Sequence, residues 1–297
     1  MTSERPRITD TNMSDTGVIR GPPHCMLRRW NNSKRYSLIT GLPPPKLKHV
    51  VWLHVPKAGG SSFANLLFRT ACQISTPEPF IDPIYVRCIY ENMCPGTFDV
   101  FDWGHAPLVL PIRSNQMAIT ILRNPQARTL SGFFHNLHDC PQLRAGLNMT
   151  EYRPSPGRAP FYAVFTTWHV RAYARCVTAC ATRMLSGHRC APMSSLDGVK
   201  GSLMPLANAT LHRFSFVGLQ DQWNRTLAAF SRTFGTPLRP SDYSTVLRRS
   251  SQHTQAEASK ARVAAMLREM KFVDDKLVAA AQRILTLEER GEWTPHS

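Results

Sequence analysis

The sequence predicts an α/β fold in three layers: a central parallel sheet with helices on both faces. Two observations carry this. Short apolar runs rich in β-branched residues recur along the chain, and each is followed by a segment with apolar residues at helical spacing. Strands that alternate with helices in this way form parallel sheets covered on both sides.

Residues 1 to about 47 are polar, basic and interrupted by Pro22, Pro23 and the run Pro43-Pro44-Pro45, a composition expected of a flexible arm or stem. Ordered pattern begins at Lys48 and continues to about residue 290, leaving 291–297 as a tail. Val50 to Val55 is expected as a buried strand. After the turn Pro56-Lys57-Ala58-Gly59-Gly60, Ser61 is a good N-cap for a helix through Phe63, Leu66 and Leu67. Phe98 to Trp103 reads as a strand ending at Gly104-His105. Met117 to Leu122 is another, followed by Arg123-Asn124-Pro125 and an amphipathic helix marked by Leu130, Phe133, Phe134 and Leu137. Residues 139–160 read as a surface loop and Phe161 to Leu185 as a helix. Phe214 to Gly218 is expected as a strand leading into a helix through Trp223 and Phe230. Gln255 to Glu289 is alanine-rich and helical in composition, as one or two helices.

The chain has 297 residues, 42% of them hydrophobic, which is ample for a sizeable core. Its 36 basic against 20 acidic residues give a formal charge of +16, which favours anionic partners or simply a basic, soluble surface. The basic residues are scattered rather than gathered in one run, and neither a zinc finger nor an RNA-binding signature is present, so nucleic acid is not expected as a partner. Eight cysteines (25, 72, 88, 94, 140, 176, 180 and 190) permit disulfides in an oxidising compartment. The spacing of Cys176, Cys180, His188 and Cys190 also allows a zinc site, but no C-x-x-C pair supports one, and no metal is expected. Sequons at Asn12, Asn31, Asn148, Asn208 and Asn224 fit a lumenal protein. No apolar run reaches the roughly 20 residues of a membrane helix; the chain is either soluble or lacks its anchor.

The strongest local signal is His54-Val55-Pro56-Lys57-Ala58-Gly59-Gly60-Ser61-Ser62-Phe63. Backbone N–H groups at such a strand-to-helix junction bind anions, and the helix dipole adds to the attraction. Glycines let the backbone approach oxygens that a Cβ would hold away, Ser61 and Ser62 donate hydroxyls, and Lys57 adds a cation. The lysine precedes the glycines, unlike the order in nucleotide triphosphatase loops. The bland alternative is an ordinary turn with Lys57 in solvent. A second junction carries Arg123, whose fork grips phosphate, and Ser131 two turns into the helix; otherwise Arg123 pairs with a carboxylate and Ser131 packs inside. Arg128 on that helix is expected in a structural ion pair. Two anion-binding junctions suit a ligand with two separated phosphates.

The loop His54 to Phe63, together with Leu122-Arg123-Asn124-Pro125-x-x-Arg128-x-x-Ser131-x-Phe133, resembles the donor-binding pair of the Golgi carbohydrate sulfotransferases, nearest the heparan sulfate and uronyl 2-O type. Trp103-Gly104-His105, Thr182-Arg183-Met184-Leu185-Ser186-Gly187 and Phe216-Val217-Gly218-Leu219-Gln220 match further family stretches in the right order. Departures are Ala58 where the loop often has threonine, Trp103 where some members have a second histidine, and Ala181 where a glutamine usually stands.

The resemblance implies a P-loop-type fold and sulfuryl transfer from 3′-phosphoadenosine 5′-phosphosulfate (PAPS) to a hydroxyl of a carbohydrate, expected to be an anionic glycan, in the Golgi lumen or at its membrane. It implies donor contacts from Lys57, Ala58, Gly59, Gly60, Ser61, Ser62, Arg123 and Ser131. His105 becomes the general base and Lys57 the group that stabilises charge on the leaving oxygen. Without the resemblance His105 reads as a structural histidine. Rival readings are a P-loop phosphotransferase, which would want its lysine after the glycines, and a non-catalytic binder of polyanions.

Overall fold

The computed structural model describes residues 37–38, 47, 49–72, 74–75, 97–101, 105–135, 137–146, 165–191, 203–243 and 257–295. Most of the arm expected over 1–47, the Trp103-Gly104 dipeptide, and the asparagines 12, 31 and 148 lie outside these residues.

The strands are β1 (Ser37–Leu38), β2 (Val50–Leu53), β3 (Ile74–Ser75), β4 (Phe98–Phe101), β5 (Met117–Leu122) and β6 (Phe216–Leu219). β1 and β3 form a short antiparallel pair, and the other four make a parallel sheet in the order β4-β2-β5-β6. An α/β architecture with a parallel sheet is therefore present. Every residue of β2 and β6 is buried, which explains why these strands read as continuous apolar runs rather than alternating ones.

The helices are α1 (Gly60–Cys72), α2 (Pro125–Phe133), α3 (Pro141–Gly146), α4 (Thr167–Val177), α5 (Cys180–Leu185), α6 (Leu203–Leu211), α7 (Trp223–Phe234), α8 (Glu257–Arg268) and α9 (Asp275–Arg290). α1 opens at Gly60, so Ser61 lies inside the first turn instead of capping it. α2 starts earlier than its apolar residues indicate. Asn124 caps it by accepting the Ala127 N–H at 3.0 Å, and Pro125 takes the first turn, where a missing N–H costs nothing. The helix expected over 161–185 is two helices, α4 and α5, separated at Thr178-Ala179; positions 161–164 lie outside the described residues. α3 occupies part of the expected loop. α6, with no expectation attached to it, is a further helix.

The core joins α1, β6 and α7. Phe63 stacks on Phe216 at 6.2 Å between ring centroids and meets Phe230 edge-on at 5.2 Å. Each ring is fully buried, and removing such a side chain from water stabilises by roughly 1.5–3 kcal/mol. α9 packs against β6, where Glu288 accepts the Val217 N–H at 3.2 Å. Disulfides Cys140–Cys176 and Cys180–Cys190 tie α3 to α4 and α5 to the turn after it. The spacing that allowed a zinc site is thus taken up by disulfide bonds. None of the described helices is long and apolar enough to cross a membrane.

Candidate active site

The strand order dictates where a ligand should sit. From β2 the chain passes to β4 on one side, and from β5 to β6 on the other, so the connections diverge between the neighbours β2 and β5. In open parallel sheets the crevice at such a point, beyond the carboxyl ends of the strands, takes the ligand. The two sequence-predicted junctions are the segments that follow β2 and β5.

They touch. Arg123 Nη1 donates to the Lys57 carbonyl at 3.1 Å. Lys57 and Gly59 both have positive φ, 60° and 87°, which turns the loop sharply before α1 begins. At Gly60 the close approach is to a side chain: a Cβ there would lie 1.9 Å from His54 Nε2. His54 is buried, so it has nowhere to withdraw. Ser62 and Phe63 donate their N–H groups to the Gly59 carbonyl at 3.1 Å each, closing the turn. Ala58 is buried, and the Ser61 side chain lies outside the described residues. Ser131 is half-buried in α2 next to Gly132, where a Cβ would come within 3.6 Å of Lys57 Cγ, so α2 runs alongside the lysine stem.

A third strand end joins this group. Gln220 and Asp221 follow β6; Gln220 Cγ lies 2.7 Å from where a Gly59 Cβ would stand. Asp221 accepts the Asn124 N–H and sits 3.8 Å from Arg123 Nε. Burial pushes the Arg123 guanidinium down and Asp221 holds it up, with burial the stronger. Arg123 Nε and Gln220 Oε1 are buried and make no hydrogen bond. A cradle of glycine backbone, a lysine and an incompletely satisfied arginine therefore lies at the crevice, and its donor set fits a phosphate or sulfate oxyanion. Arg128 stands apart from it. The guanidinium pairs with buried Asp274 at 3.2 Å and donates to the Val177 carbonyl at 2.7 Å, as the structural ion pair expected.

His105 lies within 12% exposure beside a cluster that was not anticipated from sequence. Its Nδ1 is 3.2 Å from each Asp139 oxygen, and His138 Nε2 is 3.5 Å from Asp139 Oδ2. His54 meets the His105 ring edge-on at 4.7 Å, and His138 meets it at 4.8 Å from another side. His105 and Asp139 both have left-handed backbone, φ 58° and 62°, a region in which His and Asp are enriched among non-glycine residues. The Tyr173 hydroxyl donates to the His138 carbonyl at 2.8 Å and fixes that segment.

The charges follow from burial. Burial lowers His54 to about 3, helped by the neighbouring His105 and His138. Burial likewise takes His138 to about 4. Both rings are uncharged at neutral pH. Burial would raise Asp139, but its hydrogen bond to His105 and the surrounding imidazoles hold it below the usual carboxylate range. Lys57 acts electrostatically on His54 and His138, so the loop and the histidine cluster share one neighbourhood.

The Lys57 turn and Arg123 thus meet at the β2/β5 crevice, with the Ser131 helix alongside. His105 joins the same neighbourhood through His54, the residue that precedes the loop and packs on Gly60. His138, Asp139 and Asp221 escape sequence reasoning, and His54 and Gln220 appear there only as motif positions with no role of their own. Comparison with protein-family models, curated proteins and solved structures finds no match to this chain.

Proposed function

We propose that the chain is a PAPS-dependent sulfotransferase of P-loop-type three-layer fold that modifies a hydroxyl of a carbohydrate, an anionic glycan fitting its +16 charge. The observation that carries this is the Arg123–Lys57 contact at the β2/β5 crevice, which sets two anion-binding junctions side by side, as a ligand with two phosphate groups requires.

When bound, PAPS supplies the activated sulfuryl group. Lys57, Gly59, Gly60 and the first turn of α1 hold one anionic end, and Arg123 with Ser131 the other. His105 takes the proton of the acceptor hydroxyl. With Nδ1–H donated to Asp139, the lone pair stays on Nε2, the nitrogen that accepts. Asp139 is a positioning residue in this scheme. It orients the ring and offsets the charge that the ring gains. Lys57 stabilises negative charge as it develops on the leaving oxygen, an interaction stronger in the transition state than before it. The two disulfides support an oxidising compartment such as the Golgi lumen.

The test is transfer of labelled sulfate from PAPS to a panel of heparan, chondroitin and neutral glycans. Label on at least one glycan is expected. Failure on every acceptor, together with magnesium-dependent transfer from ATP, would instead mark a phosphotransferase.

A further inference from the structure

Three donor atoms, one each from His105, His138 and Asp139, lie within 4.8 Å of one another. Two imidazoles and a carboxylate are a donor set for zinc and its first-row neighbours. The spacing decides the matter further. Bonds of roughly 2.0–2.2 Å in tetrahedral geometry place neighbouring ligand atoms about 3.4 Å apart. Asp139 lies 3.2 Å from His105 Nδ1 and 3.5 Å from His138 Nε2. Two of the three donor pairs have spacing near that of an ion's ligands, and the third lies within 4.8 Å.

The backbone holds these donors in place. Leu137 and Asp139 flank His138 with φ of 52° and 62°, and His105 has φ 58°. The His138 N–H donates to the Gly132 carbonyl at 3.1 Å while its own carbonyl accepts from Tyr173. The disulfide at Cys140 anchors the next residue to α4. Such fixed donors need little reordering to bind. The charge of Lys57, which acts on His138, opposes a cation here and favours reversible over permanent occupancy.

We propose that His105, His138 and Asp139 form a regulatory site for a divalent zinc-class ion, and that its occupancy switches the general base off. An ion on His105 Nδ1 takes the lone pair there, and the ring proton moves to Nε2. No proton is lost, but Nε2 becomes an N–H and can no longer accept one from a hydroxyl. Asp139, drawn to the metal, also ceases to orient the ring. The switch rests on the sulfotransferase reading; the ion site does not.

The experiment titrates zinc chloride into the full chain after chelation, read by calorimetry and by X-ray absorption at the zinc edge. One zinc per chain with mixed nitrogen and oxygen donors is expected. Affinity should fall at least tenfold in both Asp139→Asn and the milder His138→Gln. A cooperative thermal melt without ligand, with the circular dichroism of wild type, verifies that each variant is folded. Absence of stoichiometric zinc, or equal affinity in both folded variants, overturns the site. Zinc should also suppress sulfate transfer, reversibly on chelation; full transfer by the zinc-loaded protein overturns the switch. If zinc binds as expected but the bisphosphate gives no shift and PAPS no product, the ion site stands and the sulfotransferase reading fails.

Discussion

Arg123 Nη1 donates to the Lys57 carbonyl at 3.1 Å, tying the turn after β2 to the turn after β5. Both turns lie where the chain's connections diverge, so one arginine shapes the loop and, in the proposed function, also grips the nucleotide. Substituting Arg123→Ala should weaken binding of adenosine 3′,5′-bisphosphate by at least about tenfold, since a hydrogen bond to a charged group contributes roughly 1.5–3 kcal/mol. Arg123→Lys should restore only part of that, because an ammonium cannot fork onto a phosphate while also reaching a carbonyl. Calorimetric titration of the three proteins measures the difference.

In the proposed mechanism the histidine cluster serves the chemistry and the two junctions serve donor binding. His105→Ala is expected to lower kcat by roughly 10²- to 10⁴-fold. Asp139→Asn should give a smaller loss, in kcat rather than KM, because it disturbs the orientation of His105 without removing the base. Both should keep the wild-type thermal shift with bisphosphate. Steady-state rates alongside thermal melts check this, and a His105→Ala protein as active as wild type would remove the histidine from the mechanism.

Much of the crevice is legible in the sequence because a strand–turn–helix junction is local. Lys57, Gly59 and Gly60 sit in one such junction and Arg123 in another, and the apolar runs at 50–55 and 117–122 place them at strand ends. That the junctions meet depends on β2 and β5 being neighbours, which no local pattern states. Asp139 is hidden for a different reason. It reaches His105 across 34 positions. The geometry also depends on left-handed backbone at His105, Leu137 and Asp139, where no glycine advertises it. Gln220 and Asp221 enter from a third strand, beyond the reach of either motif. The α4/α5 boundary is missed because its residues, Thr178 and Ala179, carry no proline or glycine to mark a break.

Glu288 predicts a pH dependence of stability. Burial raises its carboxyl to about 8, from an ordinary value near 4.5. Between about pH 4.5 and 8 the folded chain therefore keeps a proton there that the unfolded chain has already released. Fewer protons on the unfolded state mean that stability falls as pH rises through that window, by up to about 1.4 kcal/mol per pH unit from this group. Its contribution is complete below pH 4.5. Glu288→Gln keeps an oxygen for the Val217 N–H and cannot ionise, so urea midpoints of the variant should decline less than wild type between pH 5 and 8. Parallel curves for the two proteins would show that Glu288 ionises freely in the fold.

Thermal melting with adenosine 3′,5′-bisphosphate is the most direct test that the β2 and β5 junctions serve one nucleotide. A ligand at a hundred times its dissociation constant stabilises the folded state by about 2.7 kcal/mol, well within reach of a melt. Wild type should melt several degrees higher with the nucleotide, and Lys57→Ala and Arg123→Ala should each lose most of that rise. No shift in the wild-type protein at millimolar nucleotide, or a shift untouched by both substitutions, would contradict the account.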